Sequence, residues 1–289
     1  MNLIKLRKFW YLLSLLVIIP GLLSFFAKWH VLGKPLNYGI DFTGGSLIEI
    51  RFQRPVNSGE VRAVLSELGL AEGGRVQTTA GNAVLIRTRD LTQEESDRLL
   101  KGLEQKVGAL ELLRNEKVGP AIGKELRNKA ILSLVIAFAL MIIYITIRFE
   151  FRFALAAIAA LLHDILVTVG LVSLLWLEVD GAFIAALLTI VGYSINDTIV
   201  IFDRIRENLA QRKKEPLDEV IHNSIIQTLA RSINTVLTVI FCLVVLIIFG
   251  GVTIRSFMVT MLIGVISGCY SSIFNASPLW YDLRRLTGS

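Results

Sequence analysis

Three groups of polar residues interrupt long apolar stretches of this 289-residue chain, and chemistry would have to happen there. His163-Asp164 stands in one stretch and Gly192-Tyr-Ser-Ile-Asn-Asp197 in the next; Arg231 opens a further one that also holds Asn234. A charged side chain in hydrocarbon costs about 2.5–3.5 kcal/mol on insertion scales, so such residues are functional candidates by default. On a membrane helix, Asp197 would lie about 8 Å inside the inner end of its span and Asp164 about 16 Å inside its own. Arg231, at the inner edge, reaches inward or snorkels outward. If their helices are neighbours, Asp197 and Arg231 are at depths that allow pairing. Separating them would let the carboxylate take a proton, and restoring the pair would expel it. That is the minimum machinery for tying proton movement to a change of shape. Plainer readings stand beside it. Arg231 is also placed as an ordinary basic anchor, Asp197 could be neutral and bonded to Asn234 or Ser194, and His163-Asp164 could be a polar contact between helices.

The elements that would position these groups are six apolar runs: 9–27, 130–147, 153–177, 182–202, 232–250 and 256–276. Each is about as long as the 20-residue helix that crosses a roughly 30 Å hydrocarbon core. Composition agrees: 54% of residues are hydrophobic and 19% charged, with a mean hydropathy of +0.63, against about 25% charged in a soluble domain. This excludes a soluble enzyme and a disordered chain, and runs this long exclude the alternating strands of a membrane barrel. The net charge of +6 does not point to nucleic acid, because the basic residues flank the runs. Cys242 and Cys269 lie inside apolar runs and read as packing residues rather than a disulfide or zinc pair. The first run reads as an uncleaved helix, with Pro20-Gly21 marking a kink or weak turn.

Lys and Arg set the expected orientation. With the amino terminus in the cytoplasm, the inner segments hold Lys5, Arg7, Lys8, Arg148, Arg152, Arg204, Arg206, Arg212, Lys213, Lys214, Arg231, Arg284 and Arg285, and the short outer loops only Arg255. Both termini are then cytoplasmic, and the insert 28–129 faces the other side. The basic run after Asp203 could touch anionic lipid. Beyond Pro216, Leu217, Val220, Ile221, Ile225 and Leu229 share a face, which predicts an interfacial helix leading into the fifth span. Trp10, Trp29, Trp176, Trp280 and Tyr281 lie near span ends, as an aromatic belt requires, and His30 and His222 are expected in solvent.

The insert reads as one small domain. Strands are predicted at 46–52, 75–79, 83–88 and 110–118, with a Gly81-Asn82 turn between the middle two. Helices are predicted at 58–70, with Ser58 as N-cap and Val61, Val64, Leu65 and Leu68 on one face, and after the Thr92-x-x-Glu95 capping box. The order β-α-β-β-α-β is that of a ferredoxin-like α+β sandwich. The insert has no His, Cys or paired-carboxylate cluster, so it reads as a binding or docking module. Ahead of it, Gly39-Ile-Asp-Phe-Thr-Gly-Gly45 reads from spacing alone as a linker turn.

Gly39-Ile-Asp-Phe-Thr-Gly-Gly45 before a small domain also resembles the signature of the SecD/SecF protein-export membrane proteins. Val191-Gly-Tyr-Ser-Ile-Asn-Asp-Thr-Ile-Val-Ile-Phe-Asp-Arg-Ile-Arg-Glu207 is similar to the fourth-span motif of that family's SecF branch. Leu162-His-Asp164, Val118-Gly-Pro-Ala-Ile-Gly123 and Ala230-Arg-Ser-Ile-Asn-Thr235 extend the likeness over nearly the whole chain. The resemblance implies a bacterial inner-membrane subunit of the resistance-nodulation-division superfamily, driven by the proton-motive force and needing no cofactor or metal. It implies SecD as the other six-span half, the SecY-SecE-SecG channel beside the pair, and preprotein as the substrate. By motif, Asp197 and Arg231 are similar to the proton-pathway residues. His163 and Asp164 take a supporting role, with Ser194, Asn196 and Asn234 as polar neighbours and Gly39, Asp41, Gly44 and Gly45 as linker-motif positions.

Three other functions compete. An intramembrane aspartyl protease needs two carboxylates sharing a proton, but Ile195-Asn196 precedes Asp197 where the known enzymes place Gly-x-Gly. A small-molecule efflux subunit would use the same relay but needs larger extracytoplasmic portions. A structural scaffold would leave the polar contacts inert.

Overall fold

The computed structural model describes residues 2–71, 74–78, 81–212 and 214–286, so Thr79, at the end of one expected strand, and Lys213 of the basic run lie outside the described residues. In chain order the elements are α1 (Arg7–Leu32), β1 (Asn37–Tyr38), α2 (Ile40–Thr43), β2 (Gly45–Phe52), α3 (Ser58–Glu67), β3 (Arg75–Thr78), β4 (Ala83–Thr88), α4 (Gln93–Lys106), β5 (Leu110–Val118), α5 (Pro120–Arg148), α6 (Phe151–Leu175), β6 (Glu178–Val179), α7 (Gly181–Gln211), α8 (Leu217–Phe249), α9 (Val252–Ser271), a π-helical turn (Ser272–Ala276) and α10 (Ser277–Leu286). Six helical stretches are long and apolar enough to cross a membrane: α1, α5, α6, α7, α8 and the run Ile254–Leu286. The chain divides into two compact units, Met1–Asn37 with Ser133–Ser289, and Tyr38–Leu132.

The helical unit is built on close backbone approaches. α1 runs unbroken through Pro20. At Gly21 it meets Gly170 of α6, where a Cβ on Gly21 would stand 2.7 Å from the Gly170 Cα. Small residues also set the α7–α9 contact: a Cβ on Gly268 would lie 3.0 Å from Ser194 Cβ, and Gly264 abuts Ile190. The core toward the α10 end gathers Phe149, Phe153, Phe202, Ile205 and Ile221. Trp280 belongs to that core and not to an interfacial belt; it is 1% exposed and stacks on Phe153 with ring centroids 4.4 Å apart. The expected interfacial helix and fifth span form a single helix, α8. Its first turns face the protein, burying Val220, Ile221 and Ile225. His222 is likewise half-buried and accepts a hydrogen bond from the Leu3 amide at 3.5 Å. The apolar face of α5 and the C-terminal half of α8 stay uncovered, as lipid-facing helices do.

The second unit is a four-stranded antiparallel sheet in the order β3-β4-β2-β5, its elements following one another as β-α-β-β-α-β. One face packs Ile48, Ile50, Val76, Val84 and Ile86 against Val61, Val64, Leu65, Leu99 and Leu103 of α3 and α4. Both helices start with capping boxes. Thr92 and Glu95 form the expected one. For α3 the cap is Asn57, one residue before Ser58, because Asn57 is followed three residues later by Glu60 and completes a reciprocal pair that Ser58 cannot. α3 ends at Glu67, which leaves Leu68 39% exposed instead of on the buried face. Gly81 and Asn82 turn with φ of 72° and 59°.

Candidate functional site

α6, α7 and α9 converge on one carboxylate. Asp164 is 0% exposed. Its Oδ2 accepts from Ser194 Oγ at 2.6 Å and Ser271 Oγ at 2.7 Å. Its Oδ1 accepts from Ser267 Oγ at 2.7 Å and lies 3.0 Å from His163 Nδ1. Four partners on two oxygens fill the acceptor capacity of an ionised carboxylate. The sequence allows this because Ser267 and Ser271 are one helical turn apart, and Gly268 between them lets α7 approach closely enough for Ser194 to reach. The hydroxyl network continues past Asp164. The Ser194 carbonyl accepts from Thr198 Oγ1 at 3.1 Å and Ser272 Oγ at 3.2 Å, and those two hydroxyls are 2.8 Å apart. The π-helical turn begins at Ser272, where an extra residue per turn re-aims the side chains of the last span.

Asp197 is placed differently. Its Oδ1 accepts from Ser232 Oγ of α8 at 2.5 Å, and its Oδ2 is buried with no hydrogen-bond partner among the described residues. Among the described residues no ion pair joins Asp197 to Arg231. Ser232, the next residue along α8, takes the direct bond, while Arg231 is exposed on the surface of the helical unit and near enough for its charge to act on Asp197. Asn196 and Asn234 are also exposed, and neither bonds Asp197 among the described residues. Ser194, the other expected neighbour of Asp197, serves Asp164 instead. The two aspartates therefore keep separate donors.

Sequence reasoning passed over Ser232, Ser267, Ser271, Thr198 and Ser272. A search for ionisable groups in apolar runs skips hydroxyls, which are cheap to bury. The signal that could have found them is the spacing Ser267-x-x-x-Ser271-Ser272-x-x-Asn275, one polar stripe on an otherwise apolar span.

The glycine motif occupies the second unit. Gly39 precedes the single turn α2, whose first residues are Ile40 and Asp41. Gly44 and Gly45 follow with φ of 72° and 121°, conformations that favour glycine. A Cβ on Gly44 would stand 2.9 Å from Pro120 Cα, one on Gly45 2.5 Å from the Thr88 carbonyl oxygen, and one on Gly123 2.9 Å from the Gly44 nitrogen. The motifs at 39–45 and 118–123 thus meet where the end of β5 passes into α5. The glycines make a packed corner rather than an open linker.

The family model for the C-terminal region of the protein export membrane proteins SecD/SecF matches residues 99–286, and the SecD/SecF GG motif matches 31–56. The chain is 43% identical to the protein translocase subunit SecF of Sebaldella termitidis, over 99% of this chain and 92% of that one. It is 40% identical to the same subunit from Thermobaculum terrenum, over 96% and 92%. A crystal structure of SecDF, a translocon-associated membrane protein from Thermus thermophilus, superposes with a TM-score of 0.88 at 35% identity, covering 99% of this chain. The present chain spans 39% of that SecDF chain. With six apolar helices, this is a multi-pass membrane protein with a role in protein export. The chain belongs to the SecD/SecF family of protein-export membrane proteins, on its SecF side.

Proposed function

We propose that this chain is the SecF-type half of a SecD/SecF pair in the bacterial inner membrane that couples inward proton flow to late-stage preprotein translocation beside the SecY-SecE-SecG channel. The observation that carries this reading is the surface around Asp197. Arg231, Asn234 and Asn196 are exposed on the helical unit inside or at the edge of apolar spans, and Asp197 Oδ2 has no hydrogen-bond partner among the described residues. A guanidinium and two amides facing lipid would be expensive, so a partner helix bearing polar groups must cover them. The crystal structures called SecDF contain more than twice the length of this chain. Their remaining length would supply that second half.

In this reading Asp197 and Arg231 form the proton switch at the partner interface, and Asp164 with His163 supports it. Both termini are cytoplasmic. The insert lies outside as a ferredoxin-like docking module, which its strand order supports. One proton crossing 100 mV releases about 2.3 kcal/mol, and each ~1.4 kcal/mol is tenfold in population, so a few protons suffice to bias a two-state rearrangement. The test is Asp197→Asn, which should leave assembly intact and remove stimulation of export by a proton gradient in inverted vesicles. Wild-type stimulation in that variant refutes the reading.

A further inference from the structure

Besides Asp197 Oδ2, three buried side-chain polar atoms of the helical unit have no hydrogen-bond partner among the described residues: Ser277 Oγ, Trp280 Nε1 and His163 Nε2. Of these only His163 Nε2 belongs to an ionisable ring, and Nδ1 of the same ring faces Asp164. The ring borders a cavity of about 370 Å³ between α1, α6 and α9, lined in part by Leu13, Ser14, Val17, Val167, Ser267 and Tyr270. The cavity wall is apolar almost throughout, and the polar groups beside it gather at one corner. There the Tyr270 ring lies 6.0 Å from that of His163, Ser14 Oγ bonds Tyr270 Oη at 3.3 Å, and Asn275 Nδ2 bonds Ser14 Oγ at 2.9 Å. The same face of α1 continues toward the helix start. Tyr11 Oη donates to Asp282 Oδ2 at 3.2 Å, and Arg7 Nε pairs with Asp282 Oδ1 at 2.7 Å.

We propose that this corner admits water and forms an inner access route by which protons reach Asp164 through His163, along the polar face Arg7–Tyr11–Ser14 of α1. The inference rests on the proton-coupling reading above and adds to it a route separate from Asp197 and Arg231. A lipid tail offers Nε2 nothing, whereas water satisfies it together with the neighbouring hydroxyls. The transfer balances. Nε2 takes a proton from a hydronium in the cavity, and Nδ1 gives its proton to Asp164 Oδ1. The ring ends neutral, the carboxyl ends protonated and water is left behind; the reverse transfer discharges the site. The titratable and charged groups on the route are Asp164, His163, Tyr270, Tyr11, Asp282 and Arg7.

The test uses the whole chain with its SecD-type partner in inverted vesicles, with Cys242→Ala and Cys269→Ala removing native thiols. Val17→Cys, in the cavity wall, is compared with Leu16→Cys, which is 65% exposed on the lipid side of the same turn. A charged thiol reagent in the inner-side buffer reacts only with hydrated thiolate. Val17→Cys should react at least about tenfold faster than Leu16→Cys. Equal, slow rates mean that lipid or a partner helix fills the cavity, and overturn the proposal. His163→Gln should keep the labelling and slow proton uptake by about tenfold or more; unchanged uptake overturns the shuttle. Export stimulation that responds to Asp197→Asn while Val17→Cys stays unlabelled sinks this inference alone.

Discussion

Replacing Asp164 tests whether one carboxylate ties three membrane helices together. Asp164→Ala deletes the acceptor for Ser194, Ser267 and Ser271 and the partner of His163 Nδ1. Hydrogen bonds between membrane helices average about 0.6 kcal/mol, so the three serine bonds lost between helices set a floor near 1.8 kcal/mol. Groups left bare in a dry interior cost about 1–3 kcal/mol each, which would put the loss above 4 kcal/mol. Relief is limited to neighbours the hydroxyls already reach: Ser271 can turn to the Gly268 carbonyl, 3.2 Å away. The expected loss for Asp164→Ala is therefore about 3 kcal/mol. Asp164→Asn keeps one acceptor and the shape, and should lose about 1 kcal/mol as charge-assisted bonds become neutral ones. Detergent-titrated unfolding in mixed micelles, followed by helix content and by Trp280 emission, measures both. A loss under about 0.5 kcal/mol for Asp164→Ala would show that the hydroxyl shell does not hold the bundle.

Gly170→Leu should separate α1 from α6, because Gly170 has its neighbour's backbone at Cβ distance; failure of a Cys pair placed across that crossing to cross-link would show it, and wild-type cross-linking would refute it. Arg231→Lys should retain less proton-stimulated export than charge alone predicts, since an ammonium lacks the guanidinium fork; full activity would make Arg231 an anchor. In the second unit, hydrogen bonds from Arg89 and the Thr92 cap hold the Glu95 carboxyl down to about 2. A depressed folded value contributes stability that is complete above the ordinary carboxylate range, near 4.3. It is lost as pH falls through about 2. Amide protection at the start of α4, corrected for the intrinsic exchange rate, should therefore fall between those values, and Arg89→Ala should flatten that response; constant protection there counts against the carboxylate's role.

The membrane layout was legible because hydrophobic runs report span length directly, and the insert because its strand, turn and cap signals agree locally. Errors fell where one local signal outcompetes another or a tertiary contact overrides both. Asn57 displaced Ser58 as the cap because Glu60 stands at the right offset for Asn57. Trp280 left the expected aromatic belt because Phe153 offered a stacking face inside the bundle. The candidate site was half legible. Ionisable residues in apolar runs reveal themselves, so His163, Asp164, Asp197 and Arg231 could be named. Which of them meet depends on helix rotation, and sequence spacing does not give rotation between helices far apart in the chain. Hence Ser194 was paired in expectation with Asp197 and is found on Asp164, and Ser232 stands where Arg231 was expected.

The chemistry of the shell around Asp164 decides whether that carboxylate can change its charge within the energy a proton supplies. Serine hydroxyls both donate and accept, so a protonated Asp164 need not lose its neighbours: one hydroxyl reverses its direction and the others weaken. A whole bond between membrane helices averages about 0.6 kcal/mol, so going from charge-assisted to neutral bonds costs a fraction of that each, or about 1 kcal/mol over the three serines. A proton crossing 100 mV releases about 2.3 kcal/mol, which covers that change. Had a lysine or arginine stood in place of Ser267 or Ser271, neutralising Asp164 would leave a buried cation bare, at about 3–5 kcal/mol by itself, and the site would be locked. Under the proposed coupling, the shell of hydroxyls and one imidazole that surrounds Asp164 among the described residues lets the carboxylate change charge, and Ser271→Lys should then abolish gradient-stimulated export; wild-type stimulation in folded Ser271→Lys protein would count against that role.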